Sequence, residues 1–395
     1  MSASTLTSPA AQSSTRRDHE WAVAGTGMIT SIGATSGEVF DALCAGRSGL
    51  APLRGFDPKL FRAQHAYEMP EPTRTTGVDR PLRATDLLGR AISEAVADAG
   101  IGDDLSRVPV LIGTGLRELR SAELWWTEDA PMVPADLHFG TALRAMFGAA
   151  TTYTFANACS ASLYALGLGS DLLASGAADT VVVAGVDVIT ESMFGLLDRV
   201  HPEPVDAVRP FDRHRRGVLM GDGAAAVVLR AAGRGPVRAR LRGVGLNCDA
   251  YHVTAPDPVG MIAAMREAYA LAGVTPAEVD LVLAHGTGTL RNDEAEATAL
   301  TEAFAGSAAP PLVTAVKSMT GHTSGSSGLM SLVVAIFSLA TGLVPPTVGL
   351  VDPVEEADGL RFVIGDPARA GSRLAQVDAF GFGGVNAVAI VERGD

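Results

Sequence analysis

The sequence predicts an α/β protein built from two strand–helix halves that share one core. Three observations carry this reading. Strand–turn–helix units repeat along the chain. Strands such as Thr180–Val186 are β-branched and almost wholly apolar, as expected when both faces of a sheet are covered. No Pro/Ser-rich linker separates the halves. The composition agrees, because 395 residues that are 47% hydrophobic and only 19% charged can bury a large core.

The elements follow in order. Residues 1–19 are rich in Ser, Thr and Ala without hydrophobic periodicity, and are expected to form a disordered tail. Ala22–Ala24 reads as a short strand leading into a glycine-punctuated loop. Ser36–Cys44 reads as a helix, with Thr35 and Glu38 at capping-box spacing. Arg83–Ala99 is amphipathic and stops at Gly100. Val108–Ile112 and Thr151–Ala156 are strands, Asn157–Ser162 a sharp turn and Leu163–Ala174 an apolar helix. Thr180–Val186 and Ala224–Leu229 complete a first half, residues 20–235.

The second half, residues 236–395, repeats the scheme. Val259–Ala272 and Asp293–Phe304 are helices, Val279–Leu283 and Leu312–Ala315 strands. Ser326–Leu339 is the most apolar helix. Arg361–Ile364, Leu374–Phe380 and Ala387–Val391 are closing strands. Leu329–Val344 is apolar but shorter than the roughly 20 residues of a membrane span, so a buried helix is expected.

Charge and cysteine usage exclude several classes. A net charge of −13 argues against a general nucleic-acid binder, which needs a basic face. The three cysteines, Cys44, Cys159 and Cys248, have neither disulfide-framework nor metal-ligand spacing. That fits a reduced, cytoplasmic setting. Ala24-Gly25-Thr26-Gly27 with Gly33 looks like a dinucleotide loop, but Thr30 stands where the third glycine is required. Cys44 and Cys248 lack a special turn and read as structural. Trp125-Trp126 reads as a local hydrophobic cluster ahead of an exposed partner-binding or pocket element, and Arg213, Arg215 and Arg216 as a solvated surface group that could meet an acidic partner.

Chemistry concentrates at three places. Asn157-Ala158-Cys159-Ser160-Ala161-Ser162 sets a cysteine among small residues where a strand turns into a helix. Peptide N–H groups at a helix start favour thiolate over thiol, which suits a nucleophile. Ala284-His285-Gly286-Thr287-Gly288-Thr289 and Lys317-Ser318-Met319-Thr320-Gly321-His322 each place a histidine just beyond a strand, where functional groups of α/β folds collect.

These blocks, with Arg209-Pro210-Phe211-Asp212, Gly221-Asp222-Gly223-Ala224 and Phe380-Gly381-Phe382-Gly383-Gly384-Val385-Asn386, resemble the β-ketoacyl synthase family in order and spacing. The resemblance implies a thiolase-like fold with α-β-α-β-α layers. It also implies a Cys-His-His enzyme of the elongation type, because His322 stands where chain-starting relatives usually have Asn. Decarboxylative condensation of a Cys159-bound acyl group with a malonyl thioester is the implied activity. Lys317 and Glu296 match residues that support the histidines, although a plain buried ion pair would place them equally well. Phe382 and Cys159 match the oxyanion donors, and Phe382 also a gate. Thr287 and Thr289 match contacts to the pantetheine arm, and Phe380 and Gly383 fall in the substrate-binding block. No bound cofactor or metal is implied, since substrates ride on the phosphopantetheine of an acyl carrier protein. The implied assembly is a homodimer, or a heterodimer with a chain-length subunit.

Several residues depart from the family pattern. Asn157 and Val385 stand at common Thr positions, Asp222 stands at a common Glu position, and Thr-Ser-Gly-Ser-Ser-Gly follows His322. The stretch from Gly113 to Cys159 is also short for the family. Together they point to polyketide or unusual fatty-acid synthesis rather than ordinary saturated chains. Two other readings stay open: non-decarboxylative acyl transfer from Cys159, and a non-catalytic chain-length partner.

Overall fold

Eleven strands hydrogen-bond into one sheet in the computed structural model, which describes residues 21–70, 79–231, 233 and 235–394. The expected tail lies outside the described residues. The strands are β1 (Trp21–Thr30), β2 (Val110–Gly113), β3 (Thr152–Phe155), β4 (Thr180–Asp187), β5 (Gly223–Ala231) and β6 (Ala239–Cys248). They continue with β7 (Leu281–Leu283), β8 (Leu312–Thr314), β9 (Arg361–Phe362), β10 (Leu374–Gly381) and β11 (Val385–Arg393). Their spatial order is β9-β8-β7-β10-β11-β6-β1-β5-β4-β2-β3. The two halves meet at β1 and β6, which pair antiparallel only from Trp21–Leu241 to Val23–Ala239.

The helices that shape the site are α1 (Ser36–Cys44), α2 (Arg83–Asp98), α3 (Leu119–Glu128), α4 (Ala161–Ala174) and α5 (Glu191–Val200). In the second half they are α6 (Pro258–Ala272), α7 (Leu290–Ala303) and α8 (Ser327–Thr341). Helices α4 and α8 touch strands of both halves and form the middle layer. Helix α2 covers the outer face of the first half, and α6 the outer face of the second with α7 against it. The five layers expected from the resemblance are present.

Strand β4 displays the physics of this arrangement. Val181 and Val183 face the central core with Leu166, Leu329 and Val333. Val182, Ala184 and Val186 face the outer core under Leu88 and Ile92. Successive side chains point to opposite faces, so a strand between two helix layers must be apolar throughout.

Several elements differ from the sequence reading. The glycine-rich "loop" after Ala24 is the body of β1, a ten-residue strand. Its Gly27 is there for close approach, because a Cβ would lie 2.0 Å from the Ala91 carbonyl oxygen of α2. Strand β6 has no counterpart in the reading above. It starts with period-two burial (Ala239 and Leu241 inside, Arg240 and Arg242 half-buried), then loses it. The register against β11 shifts between Ile390 and Val391, a bulge that resets the alternation and hides the strand. Helices α3 and α5 were also unassigned. Ser324–Thr341 is apolar and long enough to cross a membrane by length alone, yet 83% of that stretch is buried inside the fold.

Candidate active site

Cys159 stands on a tight turn between β3 and α4. Ala158 takes φ 58°, a left-handed conformation that costs a residue with a Cβ roughly 1–2 kcal/mol. A short 3₁₀ turn, Ala158–Ser160, then leads into α4. This crank directs the Cys159 side chain into a cavity between the halves. The β10–β11 turn comes up against it, and the backbone N–H groups of Phe382 and Cys159 there favour the thiolate. Gly381 permits that approach, since a Cβ there would lie 3.2 Å from the Cys159 nitrogen.

Both histidines enter the same cavity, His285 from the end of β7 and His322 from just beyond the helical turn Lys317–Thr320 that follows β8. His322 Nε2 is 3.1 Å from Cys159 Sγ. The two imidazoles meet edge to face with centroids 5.5 Å apart, and the reactive atoms of Cys159, His285 and His322 all lie within 4.8 Å of one another. The His322 backbone is tied on both sides to the Leu219–Gly221 segment, donating to the Leu219 carbonyl at 2.9 Å and accepting from Gly221 N–H at 3.1 Å.

Lys317 and Glu296 sit behind His285, outside the cavity lining. Lys317 Nζ donates to the His285 carbonyl oxygen and lies 3.4 Å from its Nδ1. The Glu296 carboxylate accepts the N–H groups of His285 at 2.6 Å and Gly286 at 2.8 Å. The pair is therefore joined through the His285 loop rather than by a direct ion pair. Asp293 holds the rest of that loop, accepting from Thr287, Gly288 and Phe211 N–H groups. Thr287 and Thr289 share a 2.9 Å hydroxyl contact, and both line the cavity with Phe380, Phe382 and Gly383. Phe380 packs edge-on to His285 at 6.0 Å, whereas Phe382 is 54% exposed at the mouth.

Burial sets the protonation states. Desolvation, with help from the Lys317 charge, holds both imidazoles well below the usual histidine range, so they are neutral. Lys317 is pushed down by burial to about 8 and still carries its proton at neutral pH. An ammonium only donates, so His285 Nδ1 accepts and its proton belongs on Nε2, toward the cavity. Among the described residues His322 Nδ1 has no partner, which leaves that ring free to exchange donor and acceptor roles at Nε2. The Cys159 thiol is pushed up to about 11 by burial, although Lys317 and the two N–H groups pull the other way. The helix-start argument for a resting thiolate is corrected here, because desolvation outweighs the local positive potential.

Comparison with known proteins agrees with this geometry. Residues 19–233 match the model of the β-ketoacyl synthase N-terminal domain and residues 238–351 that of its C-terminal domain. The chain belongs to the β-ketoacyl synthase family. It is 28% identical to 3-oxoacyl-[acyl-carrier-protein] synthase 2 of Coxiella burnetii, an alignment covering 94% of this chain and 98% of the relative. Against the Synechocystis enzyme of the same name identity is 31%, covering 92% and 95%. The structure of the ishigamide ketosynthase/chain length factor superposes with TM-score 0.86 at 30% identity, covering 96% of this chain and 100% of that one.

Within this β-ketoacyl synthase, some sequence expectations fail. Arg215 is buried, bonded to the carbonyls of Thr289, Leu290 and Asp212 and to Glu294, so it braces the site loop instead of facing a partner. Arg213 and Arg216 are exposed but pair with Asp352, Glu355 and Glu203. Trp125 and Trp126 are 51% and 80% exposed on α3, not clustered inside. Cys248 is exposed at the end of β6, where its thiol donates to the Gly383 carbonyl at 3.5 Å.

Other residues of the synthase site were missed. Asp187, wholly buried at the end of β4, accepts from Thr114, Gly115, Leu116 and Gly325. It ties two loops beside Cys159 together, and burial lifts its carboxyl to about 6. An acid ending an all-apolar strand was the available signal. Met193 and Leu197 of α5, with Val218 and Met220, supply the apolar wall, and no motif marks them.

Proposed function

We propose that this chain is a β-ketoacyl-(acyl carrier protein) synthase acting in polyketide or unusual fatty-acid synthesis. The observation that carries the reading is the convergence of Cys159 Sγ and two neutral imidazoles within 4.8 Å in an apolar-walled cavity. In the first half-reaction Cys159 attacks a pantetheine-borne acyl thioester. A carbon–sulfur bond to Cys159 forms, the pantetheine thiol leaves, and the thiol proton passes by way of His322 to the departing sulfur. The N–H groups of Cys159 and Phe382 receive the oxyanion, a contribution of about 3–4 kcal/mol each in comparable sites.

In the second half-reaction a malonyl thioester loses CO₂. The Nε2 protons of His285 and His322 face the enolate oxygen, and neutral donors suit a charge that forms only in the transition state. The enolate carbon attacks the acyl carbonyl, the new carbon–carbon bond forms, and Cys159 leaves as a thiolate that takes its proton from water. Lys317 and Glu296 act through His285, fixing its tautomer and its backbone.

The carrier protein is the proposed partner, in keeping with the names of the relatives. Strand β3 ends the sheet, so one of its backbone edges is open to a second chain. A homodimer, or a pair with a chain-length subunit as in the ishigamide protein, follows from that edge. The cytoplasm suits its three free cysteines.

Incubation with acyl and isotope-labelled malonyl carrier proteins tests the reading. Acylated Cys159 and labelled CO₂ are expected. Acyl transfer without CO₂ release would replace it with plain acyltransfer, and failure of both would end it.

A further inference from the structure

The side chains that line the Cys159 cavity are neutral with one exception. Both imidazoles are uncharged, and among the described residues no carboxylate faces the space. Arg291, the second residue of α7, is exposed at the mouth and supplies the only formal charge. The acids beside it are committed elsewhere. Asp293 accepts the Thr287, Gly288 and Phe211 N–H groups, and Glu294 pairs with Arg215 at 2.8 Å. Among the described residues Arg291 has no carboxylate partner.

An unpaired arginine on an open surface is merely solvated, but this one ends a row that starts at the reaction centre. His285, Thr287, Thr289 and Arg291 are alternate residues of one segment, and all four line the cavity. Exposure rises along the row: His285 is 2% exposed, Thr287 6%, Thr289 half-buried and Arg291 exposed. The intervening glycines account for the alternation. Gly286 and Gly288 are left-handed, at φ 45° and 73°. A Cβ on Gly286 would lie 2.6 Å from the Ala315 Cβ, and one on Gly288 3.0 Å from the Arg209 nitrogen. One face of the segment is thus pressed into the protein, and the larger side chains are left to face the cavity.

We propose that Arg291 is a specificity-determining residue that binds the phosphate of a phosphopantetheine arm whose thioester lies at His285. The proposal rests on the synthase reading above and names what holds the outer end of its substrate. From His285 to Arg291 the backbone spans at most about 20 Å, and the left-handed glycines shorten it. The arm has about thirteen bonds between sulfur and phosphorus, about 15 Å when extended at backbone bond geometry. Thioester, amides and phosphate would then meet an imidazole, two hydroxyls and a cation in the same order. A planar guanidinium offers parallel N–H donors to two phosphate oxygens, a match that a neutral side chain cannot make. Carrier protein and coenzyme A both present a phosphate at this place on the arm, and the carrier protein is the donor assigned here.

The test measures initial rates of Cys159 acylation, by intact mass, with octanoyl pantetheine and octanoyl 4′-phosphopantetheine. Their ratio isolates the phosphate, because the thioester and both amides are common to the two. In the wild type the phosphorylated thioester should react about fivefold faster at low salt, the scale of one exposed charge-assisted pair. That preference should shrink as ionic strength rises. Arg291→Gln should bring the ratio near one, Arg291→Glu should take it below one, and Arg291→Gln should slow octanoyl carrier protein by a similar factor. Thermal unfolding establishes that the variants fold; if Arg291→Glu does not, the glutamine variant decides. Equal ratios in wild type and Arg291→Gln overturn the assignment. Slowing with the carrier protein but no phosphate ratio also overturns it, in favour of a contact with an acidic carrier surface. Slowing confined to octanoyl coenzyme A overturns it too, by placing the contact on the nucleotide phosphates. A wild-type protein acylated by none of these thioesters overturns the synthase reading itself.

Discussion

His322 Nε2 and Cys159 Sγ stand 3.1 Å apart although 163 residues separate them in the chain. The contact joins the segment leading into α8 to the turn leading into α4, so it exists only when both halves are folded against each other. Both partners are neutral at rest, one because burial lifts a thiol to about 11 and the other because burial suppresses an imidazolium. The nucleophile is thus held as a hydrogen-bonded thiol and gives up its proton as the substrate arrives.

That state predicts the pH profile of alkylation. With iodoacetamide, Cys159 modification followed by peptide mass should rise about tenfold per pH unit from pH ~7 to ~9, without a plateau, because only the thiolate reacts. A plateau below pH ~8 would reveal a preformed thiolate–imidazolium pair and contradict the neutral assignment.

Glu296 is predicted to be a positioning residue whose two oxygens are separable. Glu296→Ala leaves the His285 and Gly286 N–H groups buried without an acceptor, a cost of about 1–3 kcal/mol for each. Glu296→Gln keeps one acceptor oxygen and should recover about half of the loss in urea denaturation. In the condensation assay the alanine variant should lower kcat far more than it raises KM, since the misplaced imidazole acts on the enolate. Equal stability of the two variants would show that the backbone contacts do not matter.

The buried imidazoles should make the fold acid-sensitive. For His322 the folded-state pKa lies well below 6.5, its unfolded value, so between the two only the unfolded chain binds the proton. Stability from this group is complete above pH ~6.5 and is lost as the pH falls, by about 1 kcal/mol between pH ~6.5 and ~5.5. Asp187 and Asp293 have carboxyls lifted to about 6 and act in the opposite sense, so the wild-type profile alone is ambiguous. The difference between wild type and His322→Gln isolates the histidine. The variant should lose about 1 kcal/mol less over that interval in chemical denaturation, and identical profiles would mean that His322 is already exposed to solvent.

How much of this could be read from the chain depends on whether the signal is local. The Cys159 turn, the two histidine loops and the GFGG turn are contiguous motifs, and the cavity brings all four together. The apolar wall is not local, since Met193, Leu197, Val218 and Met220 come from a helix and a loop that meet only after folding. The thiol's protonation was misjudged for the same reason. A helix start is visible in sequence, but the burial that overrides it exists only in the folded chain. Strand glycines misled in another way, because a glycine that admits a helix and a glycine that makes a turn are the same letter.

Gly27 provides a stringent test of that last point. Its absent Cβ would lie 2.0 Å from the Ala91 carbonyl oxygen and 2.9 Å from the Ala95 nitrogen, both backbone atoms of α2. Relief requires moving a helix that covers three strands, so Gly27→Ala should cost about 3 kcal/mol, at or beyond the upper end for overpacking. Gly37, inside α1, has nothing within 4 Å of its Cβ position, and Gly37→Ala should instead stabilise by about 0.5–1 kcal/mol through the lower entropy of the unfolded chain. Urea denaturation of the two variants separates the roles. If Gly27→Ala were as benign as Gly37→Ala, the α2–β1 contact could not be as close as described, and the glycine would belong to a loop after all.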